Sequence, residues 1–266
     1  MKAFPYKSEK PDPNYVAESR FSNLCHPNVI SYIDTQSTKV SIQNNQKFYT
    51  SIILTEVAPY GSIHKAISDD ALPRSEKVIR TFFHHLVNGL EYLHGKGIAH
   101  LDIKPENLLI GENFNLKIID FDCAYLNGED ESPRSKGTVN YRAPEVLQKQ
   151  QYNTFKADIY SAGIVLFLMM TGNLPFREDV LDESSDFRGM LDSNPHKFWK
   201  FHKKYSSMNI HSPFRDLFEK MVDPNPRVRA SISDIKNSEW FNGPTCSPKQ
   251  LKEAMAMFEF SKIGCN

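Results

Sequence analysis

Glycine is missing from the first sixty residues of this 266-residue chain; the first one is Gly61. A glycine-rich turn cradling phosphates is therefore excluded from that stretch. Cysteine is scarce too. Cys25, Cys123, Cys246 and Cys265 are scattered without metal-ligand spacing or a disulfide rhythm, which points to free thiols in a reducing compartment. No charge of either sign is in excess, with 32 basic and 32 acidic residues, so the balance names neither nucleic acid nor an anionic membrane as partner. Long apolar runs are missing as well: the longest, Ile164 to Met170, is far too short to span a bilayer, and the amino end has no signal-peptide core. No internal repeat is visible. What remains, 40% hydrophobic and 24% charged, is ample material for a globular core in one large domain or two lobes.

The densest chemistry lies in His100-Leu101-Asp102-Ile103-Lys104-Pro105-Glu106-Asn107, followed by Asp120-Phe121-Asp122. A carboxylate, a lysine and an amide within six positions, with Pro105 breaking any helix between them, describe a loop carrying function. The chemistry they suit is phosphoryl transfer, which requires a hydroxyl to be oriented, a moving phosphate neutralised and a divalent metal held.

In order along the chain come LTEVAPYGS from Leu54, that loop, Asp120-Phe121-Asp122, GTVNYRAPE ending at Glu145, ADIYSAGIVLF from Ala157 and MVDPNPRVRAS reaching Arg229. This series resembles the eukaryotic protein kinase family of the serine/threonine branch. The resemblance implies ATP and magnesium as cofactors. It makes Asp102 the residue that orients the substrate hydroxyl and sets Lys104 against the transferred phosphoryl group. Thr138 would bond towards both, and Asn107 and Asp120 would hold the metal. The Glu56 carbonyl and Ala58 amide would meet the adenine edge, with Thr55 lining the back of that pocket. Glu145 would pair, buried, with Arg229, and Asp158 would hold the catalytic loop in shape or serve as a first-turn carboxylate of its helix.

Two positions depart from the family pattern. Leu101 stands where most members carry an arginine that binds activation-segment phosphate, which puts that route of regulation, and Ser132 and Ser135 as its targets, in doubt. Asp122 stands where glycine is expected, and its readings are a solvated side chain, ranked first, an extra oxygen at the metal, or reduced activity.

The amino-terminal lobe reads as truncated, beginning in mid-lobe. Lys2 is the candidate for the family's nucleotide-binding lysine, beside the alternative of an ordinary terminal lysine. Asp12 as cap and Pro13 as first residue predict a helix running towards Leu24, with Val16, Phe21 and Leu24 packing. Counted back from His26-Pro27-Asn28, the family's pairing glutamate falls on Ala17. Glu18, about 100° further round, has two readings: a solvated carboxylate, ranked first, and a partner for Lys2. Residues 29–34 and 48–54 read as strands of a hairpin turning at Asn44-Asn45.

The carboxy-terminal lobe reads as complete. Val78, Ile79, Phe82, Phe83, Leu86, Leu90 and Leu93 predict a buried helix from Ser75 to His94 closed by Gly95, its His84, His85 and His94 satisfied rather than metal-bound. Two short strands around Gly111-Glu112-Asn113 would deliver Asp120 into a cleft. Residues 177–194 read as a surface loop. Phe198, Trp199 and Phe201 read as core packing, and Leu251, Met255 and Phe258 as a stripe docking on the lobe.

The fold class implied is α+β: a two-lobed protein-kinase-like fold with a truncated, β-rich N-lobe over residues 1–57, a hinge and complete helical C-lobe over 58–243, and a helical tail over 244–266. The function implied is transfer of the ATP γ-phosphoryl group to serine or threonine of protein substrates, with no nucleic acid or membrane partner. The location implied is intracellular and cytoplasmic, the nucleus also open. The alternative is a pseudokinase or kinase fragment that binds partners without chemistry.

Overall fold

The computed structural model describes residues 1–6, 10–43, 46–128, 137–147, 152–176, 187–206 and 208–256, with backbone alone at 38–43, 46–48 and 187. Asn44-Asn45, Ser132, Ser135, Phe258, Cys265 and part of the stretch from 177 to 194 lie outside them.

The small amino-terminal part is an antiparallel sheet ordered β1-β3-β2, from β1 (Lys2–Tyr6), β2 (Tyr32–Gln43) and β3 (Gln46–Thr55). The hairpin is longer than the sequence suggests and starts later. Val29 instead forms an isolated bridge to Ile118, and β2 begins at Tyr32 with register shifts after Tyr32 and after Gln36. Under the sheet lies α1 (Pro13–Ser19), capped by the Asp12 carboxylate, which accepts from the Asn14 amide at 2.8 Å. The helix stops five residues short of Leu24. Phe21 and Leu24 are buried in the turns beyond it, whereas Val16, at 51% exposure, points outward and Tyr15 packs in its place with Phe4 and Ile53.

The larger part is helical. After α2 (Ile63–Ser68), α3 (Glu76–Gly95) buries Val78, Ile79, Phe82, Phe83, Leu86, Leu90 and Leu93 along one face. The left-handed glycine that turns the chain afterwards is Gly97 (φ 76°) rather than Gly95. Strand β4 (Ile98–Ala99) pairs with β7 (Tyr125–Leu126), and β5 (Leu108–Ile110) pairs with β6 (Leu116–Ile118). These two ladders bracket the catalytic-loop motif and Asp120.

Next come α4 (Pro144–Leu147) and α5 (Thr154–Thr171). Because the Asn153 side chain caps it, α5 begins four residues ahead of Asp158, so this aspartate is not a first-turn carboxylate. Helix α5 has the length and composition of a membrane span but is 83% buried as the core of this lobe. Residues 187–193 form α6 (Phe187–Ser193) rather than loop, followed by α7 (Pro195–Tyr205), α8 (Ser212–Met221), α9 (Ile232–Lys236) and α10 (Pro248–Ala256). Phe198 and Trp199 join the core, but Phe201 is 39% exposed. Leu251 and Met255 are buried against the lobe.

Candidate active site

The site is built on two short ladders and one buried anchor. Asp158, at 0% exposure on α5, accepts from the His100 and Leu101 amides at 2.8 Å each and pairs with His94 Nε2 at 2.9 Å. These bonds hold Leu101 in the left-handed region (φ 62°), a conformation that costs a non-glycine residue about 1–3 kcal/mol. Leu101 is buried in the apolar core, so it fills space where a guanidinium would need a partner. The fully buried His100 ring meets the Ile119 carbonyl at 2.8 Å through Nε2 and accepts from the Asp102 amide at 3.3 Å through Nδ1. It thereby ties the loop to the end of β6, from which Asp120 projects at φ 68°.

Four groups converge on the Asp102 carboxylate. The Lys104 ammonium lies 2.7 Å from Oδ2 and the Asn107 amide donates to the same oxygen at 3.0 Å, while the Thr138 amide and hydroxyl donate to Oδ1 at 2.8 and 3.0 Å. The Thr138 hydroxyl accepts from Lys104 at 2.8 Å, closing the ring. Burial pushes Asp102 upward, but Lys104 and the two Thr138 hydrogen bonds outweigh it and hold the carboxyl below its ordinary value. Gly137 (φ 91°) lets the chain pass this close: a Cβ there would stand 2.3 Å from the Leu101 carbonyl. The Arg142 guanidinium donates to the Gly137 carbonyl and fixes this approach. By family resemblance residues 141–145, Arg142 among them, shape the substrate groove, a role that does not include this bond.

Asp120 and Lys2 meet across 118 residues of sequence, Lys2 Nζ donating to Asp120 Oδ1 at 2.6 Å and to Glu18 Oε2 at 2.5 Å. The expectation of a solvated Glu18 is corrected: it is 4% exposed and paired. Burial raises its pKa, the lysine lowers it, and the carboxylates of Asp120 and Asp122 raise it again. Burial lowers Lys2, but Asp120 and Glu18 together leave it raised, as one cation serving two anions must be. Tyr32, which sequence reading passed over, stands beside this pair, its phenol pushed up by burial and by Glu18 and Asp120. No local signal marks it. Asp122 is partly buried. Burial pushes the neighbouring Cys123 thiol up to about 12, with Asp122 adding to the shift, so this thiol is protonated and unreactive at neutral pH.

At the other edge of the cleft Thr55 ends β3 opposite Tyr32. The Glu56 side chain is turned away from the hinge: it accepts from the Ser31 amide at 2.7 Å and pairs with Lys117 at 2.8 Å. Burial raises its pKa, but Lys117 and Ser31 leave it below the ordinary carboxylate value. Ala58 follows, its carbonyl accepting from the Gly61 amide at 3.4 Å. Below the cleft, Glu145 and Arg229 form a two-pronged pair at 2.6 and 2.8 Å, with the guanidinium fully buried and also bonded to the Asp223 and Lys156 carbonyls.

Among the described residues no group of three or more His, Cys, Asp or Glu is arranged to hold a metal ion. The donor set nevertheless suits magnesium on a nucleotide, which takes one or two protein oxygens and completes its shell with phosphates and water. Asp120 offers a carboxylate oxygen besides the one bound to Lys2. The Asn107 amide is oriented by donating to the Asp102 carbonyl at 2.9 Å, which leaves its own oxygen turned away from that group.

Compared with known proteins, the sequence matches the protein kinase domain family over residues 1–241. The chain belongs to that family. The family generally uses ATP and magnesium, and the chain has its division into a small sheet-rich part and a helical part. It is similar to CBL-interacting protein kinase 26 of Oryza sativa subsp. japonica, 35% identical over 81% of this chain and 40% of that protein. It is likewise similar to CBL-interacting serine/threonine-protein kinases 8 and 15 of Arabidopsis thaliana, 34% and 32% identical over 81% and 82% of this chain and 44% and 48% of theirs. The kinase domain thus spans less than half the length of these curated relatives.

Proposed function

We propose that this kinase domain transfers the γ-phosphoryl group of ATP to serine or threonine hydroxyls of proteins. The observation that carries the reading is the closed ring of Asp102, Lys104 and Thr138, with Asn107 on the same carboxylate, all at hydrogen-bond distance. Asp102 orients the substrate hydroxyl and takes its proton as the oxygen attacks phosphorus. Its lowered pKa keeps it ionised and makes positioning its main contribution. With four donors already on its two oxygens, Asp102 can receive the hydroxyl only if one leaves. Lys104 is the mobile one, and its transfer to the phosphoryl group frees the acceptor at the moment the negative charge needs a cation. Magnesium, when bound through Asp120 and Asn107, screens phosphate charge and aligns the phosphates. Lys2 binds nucleotide phosphate while steadying Asp120, and the Glu56 carbonyl, the Ala58 amide and Thr55 receive the adenine.

The serine/threonine preference is supported by Lys104 within the Asp-x-Lys-Pro-Glu-Asn run and by Thr138 beside it. An intracellular setting is supported by free thiols at Cys25, Cys123 and Cys246. Purified chain with magnesium and γ-labelled ATP is expected to label serine and threonine in a mixed peptide library. Asp102→Asn is expected to lower the rate by roughly 10²–10⁴-fold, the span of a positioned acid–base group. Undiminished labelling by that variant refutes the role of Asp102. Absence of labelling by the parent chain favours a binding module instead.

A further inference from the structure

Helix α7 buries one face and leaves on the other a pattern that the kinase chemistry does not use. Phe198, Trp199 and His202 are 0%, 3% and 5% exposed. At about 100° per residue, Lys197, Lys200 and Lys204 fall together on the opposite side, and Phe201 and Tyr205 lie along one edge of that stripe, between it and the buried Phe198. All four lysines of the helix are exposed, and it has no acidic residue, in a chain whose 32 basic residues are matched by 32 acidic ones. Among the described residues the exposed large apolar side chains include two aromatics, Phe201 at 39% and Tyr205 at 55%, and both stand along this edge. Their ring centroids are 5.0 Å apart, with Lys204 Nζ 5.2 Å from the centre of the Tyr205 ring.

The ordinary explanation for lysines on a helix is a solvated face or a complement to the dipole. It serves Lys203 and Lys204 in the last turn. Lys197 sits in the first turn, where a cation opposes the dipole, and neither explanation accounts for an exposed aromatic pair beside a lysine stripe.

We propose that this face of α7 is a docking surface for an acidic segment of another protein carrying apolar side chains. Phe201 and Tyr205 are the anchor and Lys197, Lys200 and Lys204 the charged flank beside it, a pairing by which protein interfaces combine affinity with orientation. A membrane fits less well, because the strongly apolar face of α7 is already spent on the lobe's core. Nucleic acid fits less well too, since its sequence-independent binding is built from phosphate contacts and α7 offers only four lysines to make them.

The whole chain is titrated into a short fluorescein-labelled peptide rich in glutamate and aspartate with two phenylalanines, and anisotropy is followed as salt is raised. Saturable, salt-sensitive binding is expected. It should weaken at least tenfold in Lys197→Glu/Lys200→Glu/Lys204→Glu and in Phe201→Ser/Tyr205→Ser, both checked for native circular dichroism. Lys197→Gln/Lys200→Gln/Lys204→Gln, which removes charge without adding repulsion, is expected to lie between parent and reversal. No binding by the parent chain, binding unchanged by these substitutions, or tighter binding of single-stranded RNA or phosphatidylserine vesicles would each overturn the proposal. The readout needs no turnover, so it fails or succeeds independently of the catalytic reading.

Discussion

Replacing Asp158 by asparagine tests how the catalytic loop is held. The native carboxylate, buried at 0% exposure, accepts from the Leu101 amide through Oδ1 and meets the His100 amide and His94 Nε2 through Oδ2. Asparagine keeps one acceptor oxygen. If that oxygen stays on the Leu101 amide, the new NH₂ faces both other partners. His94 can answer by changing tautomer so that Nε2 accepts, but the His100 amide cannot, and it is left buried against a donor. Stranding one amide costs about 1–3 kcal/mol, and the bond kept at Leu101 loses its charge assistance. The sum is a destabilisation of about 2–4 kcal/mol, a fall in Tm of roughly 5–15 °C for a domain of this size. Urea denaturation and a thermal scan read it directly. Because the strained Leu101 immediately precedes Asp102, kcat should also fall by at least about tenfold with little change in the KM for ATP, as misplacement of a catalytic group does. Stability within about 0.5 kcal/mol of the parent, the range of neutral surface changes, would refute the reasoning and leave Asp158 as a bystander.

Glu145→Gln should cost about 3–5 kcal/mol by leaving the buried Arg229 guanidinium without its carboxylate. Glu145→Leu combined with Arg229→Met should recover most of that loss, and denaturant midpoints of the single and double variants check both statements. Burial lowers His85 and His202 from 6.5 to about 4. As pH falls through 6.5 the unfolded chain takes up these two protons while the folded one does not, so stability declines from pH 6.5 down to about 4 and loses nothing further to them below that. Each contributes up to roughly 3 kcal/mol, and urea midpoints across that range should be flatter in His202→Leu; an unchanged slope would show that His202 protonates freely in the folded state.

Residues close in sequence were the legible part of this site. Asp102, Lys104 and Asn107 lie within six positions, and a proline-broken loop of that length can hardly keep them apart. The α3 pattern was legible for a related reason, since periodicity reports burial directly. Contacts across long loops had no such signal. Nothing near Tyr32 announces that its phenol ends beside Glu18, and Lys2 reaches Asp120 only because β1 pairs with β3 in one particular register. Other misses had a visible signal that was misread. Asn153 is a good cap five residues ahead of Asp158, so the helix starts without that aspartate. Phe201 lies about 200° round the helix from Trp199, so grouping the two by proximity in sequence contradicted the helical period.

Glu18 is the instructive case, because the counting behind it was sound for a continuous α-helix. The count from His26 back to the pairing position takes the family's register, and the one-residue offset from Ala17 to Glu18 becomes an angle of about 100° only if the helix runs on unbroken. In this chain α1 ends at Ser19, and the residues that follow are linked by bonds from Phe21 to the Glu18 carbonyl, Ser22 to Ser19 and Leu24 to Phe21, each spanning three residues instead of four. Such winding turns about 120° and rises about 2.0 Å per residue. Over roughly five residues it gains about 100° and rises about 10 Å, where six α-helical residues would rise about 9 Å. The tighter turn therefore absorbs one residue in both angle and length. It brings Glu18 to the place the register assigned to Ala17, and with it the second carboxylate that Lys2 shares with Asp120.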